Sequence, residues 1–197
     1  MYPKELFKLI SFLRKLSGVG SKTAERFAFE LIKWKNSDLF ELSNLFKDLK
    51  NNIVYCETCG CLMNDDSCHL CNADYRDTNK LCIVSSFKDV YLIENTKSYK
   101  GLYHIIDTLI SPIQGKEIDL ENIKRLKDRL SANNTKEVII ALDSTVEGDA
   151  TSLYLKEELN NFNVNISRLA FGIPMGTSLD YIDGGTLAQA LIGRQNF

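Results

Sequence analysis

Four cysteines stand in two pairs, Cys56-Glu57-Thr58-Cys59 and Cys68-His69-Leu70-Cys71, with eight residues between them. Two C-x2-C knuckles this close offer four thiolates in the tetrahedral arrangement that zinc accepts, each sulfur at about 2.3 Å. Gly60 directly follows the first knuckle and Asn72 the second. Both are residue types that tolerate the left-handed backbone a metal knuckle tends to require, and this selects Cys59 over Cys61 as the ligand. Disulfides, a redox dithiol and an iron–sulfur site are the competing uses of such thiols. Disulfides conflict with the absence of an export signal, and a redox C-x-x-C is expected once, beside a βαβ unit. Four protein ligands leave no open coordination position, so the expectation is one structural Zn²⁺ per chain that holds the fold without acting as a Lewis acid. Cys61 and Cys82 are expected as plain buried or half-buried thiols, and His69 as a loop residue.

A second chemistry is suggested by Leu16-Ser17-Gly18-Val19-Gly20 between two helical patterns. Glycines let a backbone approach a phosphate, and the free N–H groups at the start of the next helix favour an anion there. Lys22 and Arg26 lie four apart on the first turns of that helix, so both can reach one strand. Such a helix-hairpin-helix grips the DNA backbone and not base edges, which makes binding independent of sequence and steeply salt-sensitive. On those five residues alone a plain helix–helix turn is the commoner reading. The basic pair and the adjacent zinc module favour DNA.

Acidic residues form a third group. Asp143, Glu147 and Asp149 follow the β-prone run Val138-Ile139-Ile140, where ligand groups of open α/β sheets sit. They can serve as a Mg²⁺ site for phosphoryl transfer, as partner contacts, or as helix-capping acids, with Asp149 at the start of a helix near Ala150.

The elements that must position these groups fall into three textures. Leu6, Leu9, Ile10 and Leu13 mark one helix face, and Leu42, Leu45, Phe46, Leu49 and Ile53 another. Between them Ser21 is the expected N-cap of a helix running through Trp34. Residues 54–75 break every periodicity. From Leu81, β-prone runs at 81–85, 101–106, 136–142 and 164–171 alternate with helical patterns near 88–95, 121–131 and 150–160, the rhythm of a mostly parallel sheet with helices on its faces. The expected class is thus a multi-module α+β chain. Its modules are a helix-hairpin-helix over 1–53, a small four-cysteine zinc finger over 54–75, an α/β domain over 80–172 and a C-terminal tail over 173–197.

The 197 residues are enough to bury a real core, and hydrophobic and charged contents of 44% and 25% exclude a disordered or fibrous chain. No apolar run approaches the roughly 20 residues that span a bilayer, so no membrane partner is expected and the cytoplasm is the expected location. A net charge of -2 hides an asymmetry: residues 1–55 carry +4 and residues 56–197 carry -6. The basic segment is the one with the glycine hairpin, and a locally basic module can meet phosphates.

Several stretches resemble the RecR family of bacterial recombination mediators, and together they run along essentially the whole chain. LSGVGSKTAERFAFELI resembles the family's hairpin, with Ser17 where proline is usual. Gly101-Leu102-Tyr103-His104 and Leu109-Ile110-Ser111-Pro112-Ile113-Gln114-Gly115 resemble its segment after the second strand of a Toprim sheet. Thr145 to Thr151 resembles its acidic loop, and Ser167 to Gly176 and Thr186 to Arg194 its late signatures. The resemblance implies a Toprim fold for the α/β domain and a chain that binds DNA without cutting it. It also implies dimers or tetramers that clamp DNA, with the tail in subunit contacts. The implied partners are RecO and in some cases RecF, with RecA loaded where single-strand-binding protein is cleared or bypassed. Lys22 and Arg26 match the family's basic DNA contacts. Departures are Ser85 where glutamate is usual, Asp143-Ser144 where Asn-Pro is usual, and Asp149 where glutamate is usual. Toprim nucleases and primases place a carboxylate acid or base at the end of the first strand, and serine cannot replace it. The competing expectation, a Mg²⁺-dependent Toprim nuclease or primase, is weakened accordingly.

Overall fold

The computed structural model describes residues 2–64, 67–170 and 172–194, and the chain divides into two compact units, residues 1–53 and 54–197. Phe171 and residues 195–197, parts of the late stretch and of the expected tail, lie outside the described residues.

The first unit holds α1 (Lys4–Leu13), α2 (Ser21–Ile32) and α3 (Asn36–Asn52). Its small core is Ile10 with Ala24 and Ala28, and Leu6, Leu9, Leu13 and Val19 pack against it. Alanines at i and i+4 of α2 let the two helices approach closely. Two details differ from expectation. Gly20, in extended conformation, is the N-cap of α2, and Ser21 is already the first helical residue. The Gly20 carbonyl accepts the Ala24 N–H at 2.9 Å, and this bond sets the first helical turn. At the other end α2 stops at Ile32, short of Trp34. The apolar periodicity of α3 is real, but no residue of that helix is buried.

The second unit opens with a two-residue antiparallel ribbon, β1 (Val54–Tyr55) and β2 (Leu62–Met63). The α/β domain follows: β3 (Asp77–Val84), α4 (Phe87–Asn95), β4 (Gly101–Ile105), α5 (Leu120–Asn133), β5 (Glu137–Ala141), α6 (Val146–Glu158) and β6 (Asn165–Arg168). The four strands pair in the order β4-β3-β5-β6, all parallel, as the alternating texture predicts. A 3-10 turn at Leu179–Tyr181 and α7 (Gly184–Ile192) complete the described chain.

The sheet is buried on both faces, which is why its strands read as continuous apolar runs. On one face Leu81, Ile83, Leu102, Val138 and Ile140 pack with Ile123, Leu126 and Leu130 of α5 and Leu155 of α6. On the other, Cys82, Val84, Tyr103 and Ile105 pack with Val90 of α4 and with Cys56, Cys59 and Cys61. The cysteine module thus forms part of the layer that covers the second face. Each fully buried aliphatic side chain contributes about 1.5–3 kcal/mol.

His104 lies in this packing with 1% of its surface exposed. Its Nε2 meets the Asn122 side-chain oxygen at 2.7 Å, while the Asn122 amide donates to the Ile105 carbonyl at 3.0 Å. Asn122 therefore accepts, so Nε2 carries the proton of a neutral ring. Burial, ahead of the charges of Arg129 and Arg125, lowers the imidazole from 6.5 to about 4. An unfolded chain takes up this proton near 6.5, so acidification below that value favours unfolding, by up to about 3 kcal/mol once pH passes the folded value. Denaturant midpoints measured between pH 7 and pH 5 should show the first part of this loss, about 2 kcal/mol, in the wild type and a shallower slope in His104→Gln. Equal slopes would exclude the buried ring as its cause.

Candidate metal centre and nucleic-acid interface

The sulfurs of Cys56, Cys59, Cys68 and Cys71 all lie within 4.8 Å of one another, the only such His/Cys/Asp/Glu group among the described residues. Cys56 Sγ is 3.9 Å from Cys71 Sγ, and Cys59 Sγ is 3.6 Å from Cys68 Sγ. Tetrahedral zinc with sulfurs at about 2.3 Å requires separations of about 3.8 Å. A disulfide requires about 2.05 Å, and all six cysteines are free. The four residues therefore fit a tetrahedral ion and leave no open position on it.

The ribbon β1–β2 sets this geometry, a feature too short to read from sequence. Cys56 N–H donates to the Cys61 carbonyl at 2.7 Å and Gly60 N–H to the Cys56 carbonyl at 2.8 Å. Gly60 takes the left-handed backbone at φ +79°, and a Cβ there would come within 3.1 Å of Ile105 Cβ. Asn72 differs from expectation: it is not among the left-handed residues, and its side chain instead accepts the Asp74 N–H at 2.9 Å, closing a local turn. The knuckle also covers the edge of the sheet, since Ile105 N–H donates to the Cys59 carbonyl at 2.9 Å.

Cys61, although buried, stands outside the four-sulfur group. A hydrogen bond from the Cys61 side chain, followed by one from Cys71, holds Cys59 far below the ordinary thiol range. The same bond, followed by burial, pushes Cys61 far above it. Burial and then the Cys59 charge push Cys68 up to about 11. Burial alone pushes Cys82 up to about 12, the state of an inert core thiol. His69 is an exposed loop residue.

The glycine hairpin presents a different surface. Gly18 has φ +79°, a conformation that disfavours any side chain, and a Cβ on Gly18 or Gly20 would meet nothing within 4 Å. α2 has no side-chain cap, so its first N–H groups lack the capping partner a helix start commonly has. Lys22 and Arg26 are on the first two turns, and among the described residues no carboxylate pairs with either. Uncapped amides at a helix N-terminus, with two cations beside them, favour an anion over a cation there.

The three acids do not converge. Thr145 is the N-cap of α6, its hydroxyl accepting the Gly148 N–H at 3.1 Å, so the helix starts ahead of the expected Ala150. Gly148 permits this start, because a Cβ there would lie 2.0 Å from the Asp143 carbonyl. Asp149 pairs with Arg168 at 2.6 Å, Glu147 accepts from the Ser111 hydroxyl at 3.3 Å, and Asp143 is exposed. At the end of β3, Ser85 donates to Asp89 at 2.8 Å, and Asp89 also closes the capping box of α4 with Ser86.

Three family models match the chain in succession: the RecR helix-hairpin-helix over residues 6–49, the Toprim domain over 79–170 and the RecR C-terminal segment over 172–195. A recombination protein RecR of Protochlamydia amoebophila is 50% identical, the match covering 100% of this chain and 99% of that protein. The chain belongs to the RecR family. A recombination protein RecR of Chlamydia pneumoniae is likewise 50% identical, and one of Chlamydia trachomatis serovar D is 44% identical, each match covering 100% of this chain and 98% of the relative. The α/β domain is therefore a Toprim domain, and the first unit matches the family's helix-hairpin-helix.

The inward-facing polar residues of α5 escaped sequence reading. Asn122 and Arg129 are buried among Ile123, Leu126 and Leu130 at helical spacing. Polar residues on the apolar face of an amphipathic pattern were the available signal.

Proposed function

We propose that the chain is a non-enzymatic recombination mediator that binds DNA of any sequence and, with RecO and in some cases RecF, helps load RecA where single-strand-binding protein covers a gap. The observation that carries this reading is the uncapped α2 N-terminus beside Gly18 and Gly20, flanked by Lys22 and Arg26. A phosphate fits there through backbone N–H groups and two cations, none of which selects a base. Cys56, Cys59, Cys68 and Cys71 are proposed to hold one structural zinc that rigidifies the layer beneath the sheet. The proposed modules are residues 1–53, 54–75, 80–172 and 173–197, in the order hairpin, zinc finger, Toprim and tail. The cytoplasm is the proposed location.

Self-assembly into a dimer or tetramer is supported by exposed apolar side chains on α3, including Phe40, Leu45 and Phe46, and by Leu191 and Ile192 on α7. Asp143, Glu147 and Asp149 are proposed as a partner-facing or weak metal surface. The alternative, a Mg²⁺-dependent nuclease or primase, is not favoured: Asp149 is tied to Arg168, and Ser85 stands where a carboxylate is required.

Gly20→Val tests the site locally. With φ -78° and open space at its Cβ, the backbone of Gly20 accepts a side chain, so thermal stability should hold while DNA affinity falls at least about tenfold as the methyls block the amides. The same variant, given RecO, should fail to speed RecA loading on strands coated with single-strand-binding protein. Full affinity and full loading in a folded Gly20→Val would contradict the proposed contact.

A further inference from the structure

Arg129, on α5, keeps only 7% of its surface exposed. A guanidinium does not lose its proton in a protein, and a buried charge requires an opposite one. Among the described residues no carboxylate lies within 4 Å of it. Its Nη1 donates to the Tyr103 carbonyl, and its Nη2 meets Cys71 Sγ at 3.2 Å. The carbonyl carries no net charge, so the sulfur is the group left to balance the cation. The need is mutual, because four thiolates around one divalent ion leave a surplus of two negative charges.

We propose that Arg129 is the counter-cation of the metal centre: from α5 its guanidinium donates to the Cys71 thiolate, fixes its orientation and offsets half of the surplus charge. This rests on the reading of the four cysteines as a metal centre. Metal retention then depends on a residue of the Toprim domain, 58 positions from the nearest ligand in the chain. Arg125 provides the contrast. One turn earlier and exposed, it donates to the Glu57 carbonyl at 3.0 Å, so it holds the module's backbone without touching a sulfur.

The test uses the full-length zinc-loaded protein and its Arg129→Gln, Arg129→Lys and Arg125→Gln variants. Zinc affinity is read by competition with a chromophoric chelator, and the thiolate environment by the sulfur-to-metal charge-transfer band after cobalt substitution. Loss of an outer hydrogen bond to a ligand lowers metal affinity about 10–100-fold, and this is the drop expected for Arg129→Gln. Its cobalt band should move to lower energy, because the sulfur loses a charged donor. Arg129→Lys, which keeps the charge but not the fork, should fall between Gln and wild type in both readouts and decides the matter if Arg129→Gln does not fold. Arg125→Gln should bind zinc as the wild type does. Wild-type affinity and an unmoved band in the Arg129 variants would overturn the assignment. A wild-type chain unable to bind zinc would instead remove the metal-centre reading itself.

Discussion

Replacing both Lys22 and Arg26 by alanine is expected to weaken DNA binding by about 10–100-fold at 0.1 M salt, with no change in fold. Each phosphate neutralised by a side chain releases condensed counterions, worth about 1 kcal/mol at that ionic strength, and two contacts give about 2–2.5 kcal/mol. Both side chains lie on α2 outside the small core of Ile10, Ala24 and Ala28, so their removal should leave the melting temperature in place. Loss should be uniform across unrelated sequences, because amides and cations on a phosphate carry no base information. Fluorescence anisotropy on several labelled duplexes and single strands measures this. Undiminished affinity in the double variant would remove the hairpin as the contact.

Cys59→Ala should release zinc and destabilise the second unit, whereas Cys61→Ala should retain the metal and cost far less stability. The two thiols are two residues apart and each is 1% exposed, so burial does not distinguish them. Position does: Cys59 Sγ faces Cys68 Sγ at 3.6 Å, and Cys61 stands outside the group. Structural zinc binding is worth about 10–16 kcal/mol in small modules, and one of four ligands carries about 3–4 kcal/mol of it, over two orders of magnitude in affinity. The effect extends past the finger because the cysteine module packs on Cys82, Val84, Tyr103 and Ile105 of the sheet. Metal analysis and chemical unfolding of the two variants measure it, and zinc lost from Cys61→Ala alone would reverse the assignment.

The parts of this architecture legible in the sequence were those written in spacing. Two C-x2-C pairs gather four sulfurs through local turns, and the 81–168 alternation of β-prone and helical runs follows from a sheet buried on both faces. Ser21 was misread because serine is a good cap, whereas Gly20 takes that position with its carbonyl and leaves the amides free. The start of α6 lies ahead of the expected Ala150 because Thr145, not Asp149, is the cap, and Gly148 is the residue that lets the helix lie against the Asp143 carbonyl. The ribbon β1–β2 has two residues per strand, too few for any period to register. Arg129 was invisible for a different reason: its partner is a sulfur from another module, and that proximity is a property of the fold and not of chain order.

The most direct test of the central claim is the salt dependence of DNA binding by the zinc-loaded protein, wild type against the Lys22/Arg26 double alanine variant. A plot of log affinity against log salt should be steep for the wild type, and its slope should shrink by about 2 per chain engaged when the two cations are removed. Identical slopes for the two proteins, or a wild type that ignores both duplex and single strand at low salt, would contradict phosphate capture at the glycine hairpin.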